Sequence, residues 1–221
     1  MIHTLEADGI QLEFGYRKIL TDVYIKCQTG SITGFLGRNG QGKTCLMNII
    51  YGSMQPSIKS VRFDGVFVHK AYKRADLLTY LPQFNFIPSA LTIKRVFSDF
   101  NLSFADFETY FPEFNQKQSS TLANLSGGQR RLVEVYTIIK SKAKFSMLDE
   151  PFSHIMPLHI DTIKEMLQAE KSNKGFLITD HMYHQIIDVC DPIYVVANGK
   201  VHLTKNTDDI ERLGYVRFDW D

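Results

Sequence analysis

The segment that most constrains this chain is a glycine-rich stretch that follows an apolar run and precedes a helical one. Its residues have the spacing G-x-x-x-x-G-K-[ST], and they are Gly37, Arg38, Asn39, Gly40, Gln41, Gly42, Lys43 and Thr44. Glycines let the backbone wrap so that successive N–H groups point at phosphate oxygens, and the following helix N-terminus adds a positive dipole end. The pattern predicts a phosphate-binding loop in which Lys43 bridges the terminal phosphates and the Thr44 hydroxyl ligates magnesium.

The loop alone does not identify the reaction, because kinases, GTPases, helicases and transport ATPases all share it. A second motif narrows the possible reactions. The mainly apolar run of residues 145–148 is followed by two acids, Asp149 and Glu150. At a strand end, Asp149 would lie near the Mg²⁺ shell, and Glu150 would orient and polarise an attacking water. Acid pairs at strand ends also occur as plain surface carboxylates, and the upstream loop is what favours the catalytic interpretation.

The order of the elements predicts the fold class. Short extended runs with an Asp64-Gly65 turn come first, and helices alternate with strands after Ser126, which is typical of a largely parallel sheet covered on both faces. Between them, six phenylalanines at spacings of three and four predict an apolar helical stripe; they are Phe97, Phe100, Phe104, Phe107, Phe111 and Phe114. We therefore expect an α/β fold in one domain, residues 1–221. It has a P-loop NTPase core, an N-terminal antiparallel β subdomain and an inserted helical subdomain at about residues 86–124.

Composition indicates an ordinary globular protein, with 44% hydrophobic and 22% charged residues in 221. A formal net charge of +1 gives no reason to expect a nucleic-acid partner. The three cysteines make no C-x-x-C pair and fit reduced thiols. Neither a signal peptide nor an apolar run of about 18 residues is evident. We therefore expect a cytoplasmic protein that reaches a membrane only through a separate subunit.

The segment LSGGQ, residues 125–129, carries the most specific information. Gly127 and Gly128 at a helix start expose backbone donors, and Ser126 adds a hydroxyl, which together predict a second small anion cradle. One protomer has no evident need for a second cradle so far from its own phosphate loop. Two protomers do, if each cradle caps the nucleotide that the other holds.

These motifs, in this order, resemble those of the ABC ATPases, whose signature is LSGGQ. Gln83 after residues 80–82 is similar to the family's glutamine that reaches Mg²⁺, and His181 after residues 178–180 to the switch histidine at the terminal phosphate. Phe14 matches the aromatic residue that stacks on adenine, with Tyr16 as the fallback. Cys45, which follows Thr44, is expected to be a small buried residue at the helix start.

The resemblance implies a full set of site residues, with ATP and Mg²⁺ as cofactors. The catalytic residues would be Glu150, His181 and Lys43, and the metal ligands Thr44, Gln83 and Asp149. The ATP-binding residues would be Phe14, Gly37, Arg38, Asn39, Gly40, Gln41, Gly42, Lys43, Thr44, Cys45, Ser126, Gly127, Gly128 and Gln129.

The resemblance also implies an ATP-binding subunit that hydrolyses Mg-ATP in a head-to-tail dimer and drives a separate transmembrane permease subunit. The partner ATPase would be a second copy or another ABC ATPase. The stretches LSGGQRRLVEV, LDEPF and LITDH are similar to those of compact ATPases of lipopolysaccharide export and branched-chain amino-acid uptake. The alternatives are a soluble ABC ATPase outside transport and an ATP-binding regulatory module with weak turnover.

One position departs from the family pattern. After Glu150-Pro151-Phe152, the family usually continues into a loop that ends in Asp, and here Met156 stands at that place. In the family that Asp helps to connect the two composite sites, so the departure keeps the regulatory alternative open without touching the water-activating Glu150. His181 and His184 form an H-x-x-H pair for which no third metal ligand is apparent, and His154 and His159 are expected in loops.

Overall fold

The computed structural model describes residues 1–216, and residues 217–221 of the predicted domain lie outside the described residues. The strands are β1 (Thr4–Phe14), β2 (Arg17–Gln28), β3 (Ile32–Gly37), β4 (Ile58–Phe63), β5 (Val66–Phe67), β6 (Leu78–Leu81), β7 (Phe145–Asp149), β8 (Gly175–Thr179), β9 (Ile193–Ala197) and β10 (Lys200–Thr204). The α-helices are α1 (Lys43–Tyr51), α2 (Ile93–Asp99), α3 (Phe104–Tyr110), α4 (Gly127–Lys140), α5 (Pro157–Glu170), α6 (Tyr183–Val189) and α7 (Thr207–Arg212).

The first sheet is antiparallel and has the strand order β2-β1-β4-β5. Leu5 pairs with Cys27 on one side and with Phe63 on the other, so apolar side chains of three strands face one core. The predicted turn between β4 and β5 forms at Asp64 and Gly65, both with positive φ, as a tight hairpin requires. The predicted N-terminal antiparallel sheet is confirmed.

The second sheet has the order β10-β9-β3-β8-β7-β6, in which only the β9–β10 pair is antiparallel. Its central strands β3, β7 and β8 are buried along their whole length, because both faces are covered. One face packs with the region of α4, α5 and α6, and the other packs against α1 and the first sheet. The carboxyl ends of β3, β6, β7 and β8 meet at one edge, where parallel sheets place their sites.

The phenylalanine stripe forms the centre of a small helical region between β6 and α4. Phe107 is fully buried, and its ring centroid lies 5.1 Å from Phe97, 4.7 Å from Phe114 and 4.9 Å from Tyr136. Asn101, with φ of 52°, follows the first helix, and Ser103 Oγ accepts a hydrogen bond from the backbone N of Asp106. The stripe therefore belongs to the core of this region, divided between two helices.

Two local expectations are wrong, and one helix was not predicted. His159 is not in a loop: it lies in the first turn of α5, buried, with its Nε2 3.1 Å from Glu113 Oε1, because Pro157 is well placed to start the helix. Cys45 is half-buried, since α1 borders an open cleft. The short helix α7, capped by Asn206, has no apolar pattern long enough to predict it.

Candidate active site

The phosphate loop joins β3 to α1 and is held by its own side chains. Gln41 Oε1 accepts a hydrogen bond from the backbone N of Arg38 at 2.9 Å. Gly42 is the N-cap of α1, with φ of 91°, and a Cβ at this position would lie 2.8 Å from Ile19 Cγ2. Only glycine fits this conformation and this close approach, so the N-terminus of α1 opens freely toward the loop.

The Lys43 ammonium lies inside the loop. Its Nζ donates to the carbonyl oxygen of Gly37 at 2.6 Å and to that of Arg38 at 3.4 Å. Burial lowers the pKa of Lys43, and the carboxylates of Asp149, Glu150 and Asp180 act in the opposite direction. The loop thus presents a partly desolvated cation where a phosphate group would enter.

The loop lines an open cleft of about 540 Å³. Many of the residues expected to bind ATP meet here, with Gln83 and Glu150 on the facing wall and Arg17 and Ile19 as further lining residues. The expected residues in this cleft are Phe14, Asn39, Gly40, Gly42, Lys43, Thr44 and Cys45. The Phe14 ring is 55% exposed and free to stack on a planar ligand, whereas Tyr16 lies outside this lining.

Asp149 ends β7 and is fully buried. Its Oδ2 accepts from the Tyr80 hydroxyl at 3.2 Å, and its Oδ1 accepts from Gln83 Nε2 at 3.3 Å. Burial raises the pKa of Asp149, while hydrogen bonds from Thr44, Tyr80 and Gln83 lower it. These donors offset part of the desolvation of a carboxylate that sits beside the phosphate loop.

The residues proposed to hold magnesium fit that ion. Thr44, Gln83 and Asp149 bring a hydroxyl, an amide and a carboxylate to one place, which are the hard oxygen donors that Mg²⁺ prefers beside nucleotide phosphates. Within residues 1–216, no group of three or more His, Cys, Asp or Glu side chains could hold a metal ion.

Glu150 occupies a strained backbone position, with φ of 55°. Its backbone N donates to Thr179 O at 2.7 Å, which ties it to the neighbouring strand β8. The Arg131 guanidinium of α4 donates to the carbonyl oxygens of Pro82, Asp149 and Glu150 at 2.8, 2.9 and 3.0 Å. These hydrogen bonds connect the strained Glu150 to the segment before Gln83. The spacing of the sequence motifs does not predict this role for Arg131.

His181 lies next to Glu150, with its Nδ1 3.9 Å from Glu150 Oε2, and Ser153 contacts both residues. Ser153 Oγ is 3.3 Å from Glu150 Oε2 and 3.3 Å from His181 Nδ1. The buried Asp180 accepts from the backbone N of Phe152 and lies 3.3 Å from His181 Nδ1. The structure thus places the predicted water-orienting acid and switch histidine together, and it adds two polar residues that the sequence motifs did not single out.

The signature segment lies outside this cleft. Ser126 and Gln129 form a reciprocal capping box at the start of α4, each side chain bonded to the other's backbone N at 3.2 Å. Ser126 and Gly127 are exposed, and the segment lines two other cavities, one with His154 and one with Met156. Within residues 1–216, this rigid and exposed helix start caps no cleft of its own phosphate loop.

Met156 marks the end of the loop that follows Glu150. It is 61% exposed and serves as the N-cap of α5 without a side-chain hydrogen bond. An aspartate here could cap the helix, whereas Met156 places an exposed thioether at the helix start.

Comparison with known proteins identifies the family. The family model described as ABC transporter matches residues 20–153. The chain belongs to the ABC transporter family. The match spans the phosphate loop, the signature segment and the two acids, and it makes the protein an ATP-binding subunit with ATPase activity, as the sequence predicts.

Individual relatives agree with this. The chain is 28% identical to the lipopolysaccharide export ATP-binding protein LptB of Haemophilus influenzae, covering 93% of this chain and 92% of the relative. It is 30% identical to an uncharacterized ABC transporter ATP-binding protein of Rhizobium meliloti, covering 94% and 82%. A solved ATP-binding subunit of an ABC transporter superposes with a TM-score of 0.79 at 23% identity, covering 96% and 93%, and confirms the fold class. In the described part of the chain, no helix is long and apolar enough to cross a membrane.

Proposed function

We propose that this subunit hydrolyses Mg-ATP in a head-to-tail dimer and thereby drives a separate membrane subunit. One observation carries the proposal: the phosphate loop lines one cleft, while the exposed signature cradle lies outside it. A cradle that its own chain does not use fits the nucleotide of a second protomer. That protomer is a second copy or another ABC ATPase.

In the proposed site, Phe14 stacks on the adenine and the loop from Gly37 to Cys45 surrounds the phosphates. The signature residues of the other protomer, Ser126 to Gln129, close the site from outside. Backbone N–H groups of the loop and of α1 supply most of the anion contacts. The opening of the cleft toward solvent in one chain leaves room for this second wall.

Hydrolysis then depends on three side chains at the edge of the sheet. Glu150 orients the attacking water and accepts its proton, with Ser153 holding one of its carboxylate oxygens. His181 contacts the terminal phosphate, and Lys43 leaves its loop carbonyls to neutralise the developing charge. Mg²⁺ bound by Thr44, Gln83 and Asp149 would balance further phosphate charge in the same site.

An apolar groove beside Gln83 supports docking of the membrane subunit. It has a volume of about 230 Å³, and its wall includes Phe84, which is 72% exposed. The other apolar and aromatic lining residues are Tyr51, Tyr80, Pro82 and Phe86. We propose that a short helix of the permease subunit fills it, which would hold the protein at the cytoplasmic face of a membrane. The compact relatives named for lipopolysaccharide export favour transport over a soluble role.

The domain organisation follows the same proposal. Residues 1–221 act as one ATP-binding domain, and the helical insert at about residues 86–124 moves with the signature segment when a dimer closes. The Arg131 contacts to three carbonyl groups connect α4, which carries the signature, to the metal and water site.

The dimer is tested with Glu150→Gln, which keeps the shape of the side chain but cannot accept a proton. With Mg-ATP, the variant should elute from size-exclusion as a dimer, and the double variant with Lys43→Ala should elute as a monomer. A Glu150→Gln protein that stays monomeric at saturating ATP would remove the main support for the shared site. Phosphate release by the wild type that equals that of Lys43→Ala would instead favour the regulatory alternative.

A further inference from the structure

Tyr80 is a buried tyrosine whose hydroxyl contacts Asp149 and whose ring lines the apolar groove beside Gln83. It lies on β6, only 7% exposed, among apolar side chains of the sheet and α1. Phenylalanine would satisfy that packing equally well. The hydroxyl therefore needs its own explanation, and its one hydrogen bond given by the structure runs to Asp149 Oδ2 at 3.2 Å.

The direction of this hydrogen bond is fixed by chemistry. An ionised carboxylate only accepts, so the phenol donates. Burial and the nearby Asp149 charge raise the pKa of Tyr80 far above its ordinary value, which keeps the phenol protonated at any working pH. Asp149 thus has a permanent donor at Oδ2, while its Oδ1 is bonded to the exposed Gln83 at 3.3 Å. One oxygen is held by a rigid residue and the other by an exposed, more adaptable one.

The other end of Tyr80 lines the groove. Its ring centroid lies 5.2 Å from that of Tyr51, and both residues line the groove beside Phe84. A side chain that enters the groove would therefore contact the ring whose hydroxyl holds Asp149. This contact route is separate from Gln83, although both lead to the same carboxylate.

We infer that Tyr80 is a positioning residue that orients Asp149 for its metal and makes that orientation sensitive to what occupies the groove. The inference rests on the proposed role of Asp149 as a magnesium ligand. Removing a group that hydrogen-bonds to a metal ligand typically weakens metal binding about 10–100-fold. Phenylalanine keeps the buried ring in place, so the loss of the hydroxyl should appear mainly in metal binding.

The test uses Mn²⁺ as the probe, titrated into the full chain with bound ADP and followed by electron paramagnetic resonance. Tyr80→Phe should weaken Mn²⁺ binding about tenfold, with ADP affinity in EDTA and the melting temperature close to wild type. Tyr194→Phe is the matched control: this tyrosine is also 7% exposed and in the same sheet, but its hydroxyl bonds to the backbone N of Lys26. Its Mn²⁺ affinity should be that of wild type.

Asp149→Asn separates this inference from the proposed site. If Asp149→Asn leaves Mn²⁺ affinity unchanged, the metal role of Asp149 itself is wrong. If Asp149→Asn weakens Mn²⁺ binding and Tyr80→Phe does not, only the role of Tyr80 is wrong.

A double-mutant cycle tests the connection to the groove. Tyr51→Ala removes the ring that packs against Tyr80, and it should lower Mn²⁺ affinity about threefold in the wild-type background. In the Tyr80→Phe background, the same change should have no effect, because the hydroxyl that links groove and carboxylate is gone. An equal effect in both backgrounds would overturn the coupling.

Discussion

The buried Lys174 predicts an unusual pH dependence of stability. It precedes β8, is 2% exposed, and its ammonium donates to the carbonyl oxygen of Ser141 at the end of α4. The hydroxyls of Ser141 and Ser146 lie 3.3 and 3.4 Å away. Burial lowers the pKa of Lys174 from 10.5 to about 8; Lys140 acts in the same direction, and Glu170 opposes it. No carboxylate is bonded directly to this ammonium in the described residues.

The sign of the effect follows from this lowered pKa. Between about pH 8 and pH 10.5 the unfolded chain binds more protons at Lys174 than the folded one does, so stability rises with pH. The lowered pKa of Lys174 corresponds to a total change in the free energy of unfolding of about 3 kcal/mol. About 2 kcal/mol of this change falls between pH 7 and pH 9.5. Below pH 7 the contribution is constant, because both states are protonated.

The measurement compares wild type with Lys174→Met by urea denaturation at pH 7 and pH 9.5. The difference in unfolding free energy between the two proteins isolates Lys174, because other buried groups are common to both. Tyr80 and Cys27, for example, have pKa values raised by burial, and their ionisation in the unfolded chain lowers stability at high pH in each protein. Relative to the variant, wild type should gain about 2 kcal/mol over this interval.

Lys142→Met is the control, since Lys142 is exposed two residues after the end of α4. The difference in unfolding free energy between Lys142→Met and wild type should be the same at pH 7 and pH 9.5. A flat difference for Lys174→Met as well would refute the reasoning, because it would mean that Lys174 keeps an ordinary pKa in the folded protein.

Three further predictions follow from single positions. Met156→Asp supplies the missing cap of α5 and should raise the unfolding free energy by about 1 kcal/mol in urea denaturation; no gain would show that the helix start is already satisfied. Gly42→Ala brings a Cβ against Ile19 and should weaken ATP binding at least about tenfold by titration calorimetry, whereas Gly9→Ala, with open space around it, should bind normally. Phe107→Ala empties the centre of the helical region and should cost about 3–5 kcal/mol of stability; a loss below 1 kcal/mol would contradict the packing.

Much of this protein could be predicted from local sequence. A helix follows the phosphate loop, as the sequence predicts, and it spans Lys43–Tyr51 with a glycine at each end. The phosphate loop and the strand-end acids are short motifs in which spacing itself determines which groups face the ligand. The phenylalanine stripe predicted a helical core for the same reason, since a period of three and four places side chains on one face.

The contacts that hold the site together could not be predicted in that way. Tyr80 reaches Asp149 only because β6 and β7 are neighbours in this register, and Arg131 reaches three carbonyl groups only because α4 packs on that edge. His159 was expected in a loop because proline is common in turns as well as at helix starts, and local sequence did not decide between the two.

Sequence alone therefore determined which residues are expected to bind the nucleotide, since motif spacing is a local property of the chain. Only the tertiary structure decided which groups orient these residues and which packing removes them from water. Strand order brings Ser153 between Glu150 and His181, and it buries Lys174 with no bonded carboxylate among residues 1–216. Such contacts join residues far apart in the chain, and no local pattern records them.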